Sequence, residues 1–530
     1  MSLKKRLAII GCGSSGLITL KMATDFLPDW EIVCFEKTDS IVGCWGNPHP
    51  DFVSTSTKFT TQFACFPKFD ANVVDDAGRS RSEFFQNDQY GQYLESFADH
   101  FNLREHISLG TFVEQLTHEG DAWSLTVDGE AKRYDAVVVC TGLAAKAKSI
   151  DCDVTQLPAA ELSHPDGLGH IKNQKIVVVG GGESAVDYAD RLAKPELNNE
   201  LLLSLHSGIR VSPRYHPVRG VPSDFLRNRL MLSVHPDIRN YLGQIFVELR
   251  IKYERRFRKL FPGNHSSTAD ESESHRQLRK EWTMRLTAAA KDDLFNMFHN
   301  KSDDFLNNVG KGRIRIVGSP TDNSWTSFEA FEADERESIS FDPDLVVPGI
   351  GFESTLGSLT NDTCSIQDFF LGCCHAKHDN LFAVGFARPI IGNIPTISEM
   401  QARLVCSLIA QTTKRPRNIE HLHDVDRQKS AQRFSKLNLN AVYPVEMFPY
   451  CDRIAKLMGL RIGPGFFESP LRWWQTKTTP ATTMHYFEEV KDVRKRLETS
   501  SRHMPWMLVS YILLMKPVDW LWKLWCRVKS

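Results

Sequence analysis

The chain carries no Cys-x-x-Cys pair, no apolar run long enough to cross a bilayer, and no surplus of either charge. Its 12 cysteines are scattered, only Cys373 and Cys374 being adjacent. Neither a metal-binding ribbon nor a dithiol redox centre is therefore expected, and such usage fits a reduced compartment better than a disulfide framework. No metal site is predicted. Lys+Arg 64 against Asp+Glu 65 leaves a formal net charge of −1, which gives no reason to expect a nucleic-acid partner. No signal peptide is expected, because the first strand pattern begins directly after Met1-Ser2-Leu3-Lys4-Lys5. What the chain does have is bulk: 530 residues, 42% of them apolar, enough for two or three domains with full cores.

Two glycine-rich turns dominate the rest. The first, Gly11-Cys12-Gly13-Ser14-Ser15-Gly16, follows Leu7-Ala8-Ile9-Ile10, which reads as a buried parallel strand, and precedes Leu17 to Phe26, which reads as a helix. In that context Gly11 permits the tight turn, Gly13 lets the backbone approach a pyrophosphate, and Gly16 lets helix and strand pack closely. The phosphates would sit on free N–H groups at the positive helix end. The next strand, Glu31 to Phe35, delivers Glu36. A carboxylate there accepts from ribose hydroxyls and repels a 2′-phosphate, so this site is expected to hold FAD or NAD rather than NADP.

The second turn, Gly180-Gly181-Gly182-Glu183-Ser184-Ala185, repeats the logic after the strand Lys175–Val179 and before a helix running to Leu192. Ala185 is the small-residue variant of the third glycine. Behind the following strand, Leu201 to Leu205, stand His206, Arg210 and Arg214 rather than an acid. A cationic loop at that edge favours the 2′-phosphate of NADP(H); the alternative is a solvated basic loop.

The fold class these patterns predict is α/β, with two Rossmann-like dinucleotide-binding domains. The first is expected to be discontinuous, over 1–160 and 325–450, with Tyr134 to Gly142 as a closing strand and Asp344 to Phe352 as the point of re-entry. Farther on, Asn380 to Phe386 reads as a core strand that leads into a helix over Thr396 to Ile409. The second domain spans 161–324 and contains a helical, charged insert at about 217–300. Within the insert Arg250, Lys252, Arg255, Arg256, Arg258 and Lys259 form either a solvated face or a surface for anionic lipid. His265 to Ser274 reads as a loop.

The C-terminal region, 451–530, ends in a distinct pattern. Met504 to Met515 is apolar but for a few residues such as Ser510, Lys516-Pro517 closes it, and Val518 to Lys529 is tryptophan-rich and basic. A span needs roughly 20 apolar residues, so helices over 504–529 are expected to anchor monotopically in a membrane surface. The alternative is a helix packed on the protein's own core. The expected location is membrane-associated, endoplasmic-reticulum-like in a eukaryote, with the catalytic domain cytoplasmic.

The pieces GCGSSG at 11–16, Glu36, IVGCWG at 41–46, ACFPKF at 64–69, VCTG at 139–142, GGGESA at 180–185, VPGIGF at 347–352 and PIIGNIPTISEMQAR at 389–403 come in a telling order. In order and spacing they resemble the flavin-containing monooxygenases over nearly the whole chain. The resemblance implies FAD reduced by NADPH, a flavin hydroperoxide formed with O₂, and oxygenation of a soft nucleophile, the amine nitrogen or sulfide sulfur of a small molecule. It also implies that Gly11, Cys12, Gly13, Ser14, Ser15, Gly16, Glu36, Cys44 and Trp45 hold FAD. Gly180, Gly182, Ser184, Ala185, Val186, Asp187 and Arg210 would hold NADPH, with Thr57, Lys58 and Gln401 as further cofactor contacts.

Three departures from the family pattern stand out. Aligned on Cys65-Phe66-Pro67, the family's flavin-side asparagine falls on Lys58, which is then the expected catalytic residue. The alternative is that Lys58 points away and Thr60, Thr61 or Gln62 substitutes. The fingerprint before the second turn is reduced to Leu162-Ser163-His164, and the phosphate-gripping arginine is replaced by His206, leaving Arg210 and Arg214 to compensate. Rival readings are Baeyer–Villiger oxygenation of a ketone and an NADPH-dependent reductase or oxidase that oxygenates no substrate.

Overall fold

The computed structural model describes residues 4–529 apart from 47, 72–82, 145, 159–160, 165–166, 216–220, 257–271, 291–298, 332–337, 441 and 502–505. Its first unit is built on β1 (Arg6–Ile10), followed by helix α1 (Ser14–Phe26) and β2 (Glu31–Phe35). Leu7, Ala8 and Ile9 are wholly buried, because the strand is covered on both faces and has no solvent side to leave polar. Strand β3 (Val53–Thr57) runs directly into the short helix α2 (Lys58–Thr61), which Thr57 caps by accepting from the Thr60 N–H. Two further parallel strands, β4 (Ile107–Ser108) and β5 (Ala136–Val139), flank β2 and β1 on either side.

The second unit repeats the motif with β6 (Lys175–Val179), α3 (Glu183–Leu192) and β7 (Glu200–Ser204). The insert follows, carrying helices α4 (Pro236–Lys252) and α5 (Glu273–Ala289). Strands β8 (Ile314–Val317) and β9 (Leu345–Pro348) close a four-stranded parallel sheet in the order β8-β7-β6-β9. This corrects the expected boundary. The strand at 345–348, expected to re-enter the first unit, pairs with β6 instead, Ile176 opposite Leu345, so the second unit continues past 324. The cause is local packing: Gly349, just beyond β9, lies so close to Ala185 of α3 that an added Cβ would meet the Ala185 Cβ at 2.6 Å.

The chain then returns to the first sheet through β10 (Phe369–Phe370), β11 (Cys374–His375) and β12 (Leu381–Ala383), giving the order β10-β11-β12-β5-β1-β2-β4. Helix α6 (Ile394–Ile409) packs along α1, and the Ser15 and Ser398 hydroxyls meet at 2.9 Å between them. In the insert, Arg255 pairs with Glu273, while Arg258, Lys259 and residues 265–271 of the expected loop lie outside the described residues.

The C-terminal segment is one helix, α7 (Trp506–Lys529), with Pro517 inside it rather than ending it. Met504 lies outside the described residues. No helix among the described residues is long and apolar enough to cross a membrane. One face of α7 places Val509, Ile512 and Met515 against Leu230, Val234 and Ile238. Asp519 accepts from the His235 N–H at 2.7 Å, and the Lys516 ammonium reaches the Ser233 hydroxyl at 2.6 Å. That much is the own-core alternative. The opposite face exposes Leu514, Trp520 and Leu521 by 75%, 62% and 59%.

Candidate active site

The first glycine turn is walled by backbone. Gly11 sits at φ +97°, and a Cβ there would stand 2.7 Å from the Cys140 carbonyl oxygen; on Gly16 it would stand 1.9 Å from the Gly11 carbonyl oxygen. Gly13 faces Gly43, whose Cα would be 3.5 Å from an added Cβ. A slot without side chains thus opens at the start of α1, whose first N–H groups have no intrahelical acceptor. Ser14 stands half-buried at this helix start. Glu36, buried at the end of β2, accepts from the Cys12 N–H at 2.8 Å and from the Thr38 N–H and hydroxyl at 3.0 and 2.9 Å. Free N–H groups, a narrow glycine-lined entrance and a carboxylate at the strand end fit a dinucleotide with an unmodified ribose.

Other residues expected around this slot have different surroundings. Cys44 is exposed, and Trp45 packs edge-on against Tyr90 with ring centroids 4.8 Å apart. Gln401 is wholly buried, accepts from the Gly385 N–H at 3.1 Å and donates to the Tyr450 hydroxyl at 2.8 Å. With Ser15, it holds α6 against the first unit.

At the second turn Gly180 has φ +117°, and its added Cβ would stand 2.5 Å from the Gly349 carbonyl oxygen, whereas Gly182 has nothing within 4 Å. The approach to the start of α3, where Ser184 is half-buried, is open backbone. Ala185 and Val186 are buried in the core, so only their backbone is left to meet a ligand. Asp187 lies 3.6 Å from both the His49 ring nitrogen and the Arg191 guanidinium.

The cationic loop behind β7 does not stand free. Arg210 is 5% exposed, and its guanidinium donates to the Ala290 carbonyl at 2.8 Å and to the Gln244 side-chain oxygen at 2.6 Å. The insert therefore takes up the side chain expected to grip a 2′-phosphate. Arg214 donates to the Ser54 and Val53 carbonyls at 3.0 and 2.7 Å and pairs with Asp303, while His206 is exposed.

Between the two units, beside the second turn, lies a cavity of about 220 Å³. The first unit supplies Ser54, Thr55 and Ser56 of β3 and Thr60 and Thr61 of α2. Facing them are Glu183, Lys301, Asp224 and Arg227, with Arg388 beside them. Asp224 Oδ2 accepts from the Thr57 N–H, the Thr57 hydroxyl and the Thr60 hydroxyl, while its Oδ1 is buried without a partner. The Lys301 ammonium donates to the Thr55 carbonyl at 2.6 Å, and burial pulls its pKa down. Burial pushes the Glu183 carboxyl up.

Asn393 caps α6, accepting from the Thr396 N–H and donating to the Thr60 carbonyl at 2.6 Å. The positive end of this helix therefore opens on the cavity, where it favours negative charge.

Lys58 is not part of that lining. Its ammonium lies over the Phe69 and Phe85 rings at 5.8 and 5.9 Å, and burial lowers its pKa. Of the three substitutes, Thr60 and Thr61 line the cavity, whereas Gln62 accepts from the Lys68 and Phe69 N–H groups. Sequence reasoning missed Asp224, Lys301, Thr55 and Asn393. Only Asn393 carried a local signal, a capping asparagine with proline two residues on.

A second, polar cleft of about 470 Å³ runs along α3, lined by Asp187, Asp190, Arg191 and Lys194 among others and sharing Lys301 with the first cavity. Burial pushes the Asp190 carboxyl up to about 7, against the opposing hydrogen bonds from Ser302 and Asn308. Among the described residues no cluster of three or more His, Cys, Asp or Glu is placed to hold a metal ion.

A family model described as flavin-binding monooxygenase-like matches residues 4–286. The chain is 23% identical to a 4-hydroxybenzoate brominase (decarboxylating) of Pseudoalteromonas luteoviolacea over 88% of its own length and 87% of that protein's. It is 24% identical to the N-oxide-forming dimethylaniline monooxygenase 4 of Oryctolagus cuniculus over 91% and 84%. Among solved structures, closed cyclohexanone monooxygenase superimposes with a TM-score of 0.56 at 17% identity, covering 86% of this chain and 98% of that one.

Proposed function

The chain belongs to the flavin-binding monooxygenase-like family, and from that premise we propose that it is an FAD- and NADPH-dependent monooxygenase of a soft nucleophile, an amine nitrogen or a sulfide sulfur, in a small molecule. The observation that carries this reading is the pair of glycine turns, one at the start of each dinucleotide helix, with a cavity lined by both units. FAD, when bound, supplies the two-electron chemistry that activates O₂. For a sulfide the balance is R₂S + O₂ + NADPH + H⁺ → R₂SO + NADP⁺ + H₂O: one oxygen atom goes to sulfur, the other leaves as water, and NADPH provides two electrons.

The chain's own residues bind and shield. Gly11 to Gly16 and the start of α1 hold the FAD phosphates, with Glu36 toward the ribose. Gly182 to Ser184 receive the NADPH pyrophosphate. Asn393 and the N-terminus of α6 favour negative charge in the cavity, and Trp45 and Phe85 keep one wall apolar. The dimethylaniline relative, which by its name forms an N-oxide, supports nitrogen as one target.

The test is NADPH consumption by FAD-loaded protein with thioanisole, N,N-dimethylaniline or cyclohexanone. Sulfoxide or N-oxide formed one-for-one with NADPH supports the reading. Lactone from cyclohexanone alone replaces it with Baeyer–Villiger chemistry, and hydrogen peroxide with no oxygenated product makes the protein an oxidase.

For the outward face of α7 we infer peripheral attachment to a membrane surface, with the catalytic units on its cytoplasmic side. Leu514, Trp520 and Leu521 are exposed on this helix, while the Lys523 ammonium pairs with Asp519 at 2.7 Å. Co-flotation with anionic vesicles that is lost in a Trp520→Ser, Leu521→Ser double variant is the expected result; no flotation of the full chain removes the inference.

A further inference from the structure

We propose that the cavity between the two units takes substrates bearing a carboxylate, which Lys301 and Arg227 hold while the nucleophilic atom is oxygenated. This rests on the function proposed above and names the substrate class of that same site.

Both cations line the cavity, and both point their charge at neutral groups. The Lys301 ammonium donates to the Thr55 carbonyl at 2.6 Å, and the Arg227 guanidinium reaches only the Ile390 carbonyl, at 3.5 Å. Among the described residues neither has an ion-pair partner, although each feels Asp224 through space. Withdrawing a cation from water without a paired anion is unfavourable, so the arrangement is completed by an anion that enters.

The cavity's own carboxylates do not fill that role. Asp224 Oδ2 already accepts three hydrogen bonds, and among the described residues Glu183 forms no ion pair with either cation, acting on Lys301 only through space. Arg388 adds a third positive charge to the same wall. The balance of the lining is positive, and a cleft of one sign within low-dielectric walls concentrates the opposite ion. Asp224 Oδ1 supplies the complementary element, a buried acceptor without a partner that an O–H or N–H of the same substrate would satisfy.

The cofactors' phosphates are the other source of anions. They are met by the helix starts at Gly13–Ser15 and Gly182–Ser184, whereas Lys301 and Arg227 come from separate segments of the insert and its return. We therefore assign the two cations to the substrate.

The experiment compares 4-(methylthio)benzoate with thioanisole, which share the sulfide and differ in the carboxylate, by sulfoxide formation in the FAD-loaded full chain. The expected result is a kcat/KM ratio favouring the carboxylate by about tenfold or more. That ratio should fall toward unity in Lys301→Met and be largely kept in Lys301→Arg. Arg227→Met is the second variant should Lys301→Met fail to fold. Titration with NADP⁺ is read in parallel. If Lys301→Met weakens NADP⁺ binding as much as it weakens the carboxylate, the cations serve the cofactor and the proposal falls. Thioanisole oxidised as well as or better than the acid overturns the proposal and leaves the sulfide-oxygenating function standing. Oxidation of neither sulfide, with peroxide released, overturns both.

Discussion

Asp224 and Thr57 are joined twice. The Asp224 Oδ2 accepts from the Thr57 N–H and from the Thr57 hydroxyl, each at 2.9 Å, and the same oxygen also takes the Thr60 hydroxyl at 2.6 Å. The start of the insert is thereby clamped to the strand-to-helix turn that forms one wall of the cavity.

Removing that carboxylate leaves two buried hydroxyls and an N–H short of their acceptor. Asp224→Ala is expected to destabilise the protein by ~3 kcal/mol, and thermal unfolding of the FAD-loaded form should show a lower midpoint. A midpoint equal to that of the parent would mean that the clamp is not formed.

The glycines separate into two classes. At Gly16 a Cβ would stand 1.9 Å from backbone, so Gly16→Ala should yield little or no yellow protein. At Gly182 nothing lies within 4 Å, so Gly182→Ala should fold and keep its flavin while binding NADPH more weakly. Flavin absorbance per chain and NADP⁺ titration distinguish the two outcomes.

Arg210 is held by Ala290 and Gln244 inside the insert. Arg210→Ala should therefore lower the unfolding midpoint but leave the NADPH-to-NADH preference within about twofold of the parent. A collapse of that preference with unchanged stability would return Arg210 to the phosphate.

Asp190 has a carboxyl pushed from 3.8 up to about 7 by burial. Its folded pKa lies above its unfolded value, so its contribution is fully present at pH below the unfolded pKa and is lost as pH rises through 4 to 7. Asp190→Asn should gain stability relative to the parent at pH 8 and show a smaller gain, or none, at pH 5. Unfolding midpoints at the two pH values check this, the parent cancelling effects common to both proteins.

Lys58 lies over two aromatic rings outside the cavity lining. Lys58→Ala is accordingly expected to change coupled NADPH turnover by no more than about twofold. A large rise in peroxide release would restore it to the reaction.

The glycine turns were legible in the sequence because their requirements are local: φ of +97° at Gly11 and +117° at Gly180, and backbone in the place of a Cβ. The helix starts and Glu36 followed from the same short-range geometry. The sheet to which residues 345–348 belong was not legible, since a buried Val-Val-Pro strand looks alike in either sheet. Nor was the burial of Arg210, because its acceptors lie 34 and 80 positions away. The cavity escaped for the same reason: Asp224 and Lys301 meet β3 only through tertiary folding, and motif alignment on the nearby cysteine and proline pointed to Lys58, which lies outside the lining.

Strand β3 is gripped along its length by the second unit: Arg214 holds the carbonyls of Val53 and Ser54, Lys301 holds that of Thr55, and Asp224 holds the N–H of Thr57. These four bonds fix the polar wall of the cavity to the second unit, so Thr55 and Thr60 keep their places in the lining only while that unit stays docked. A strand too short and too polar to stand out in the sequence is thus the seam by which one dinucleotide unit is sewn to the other.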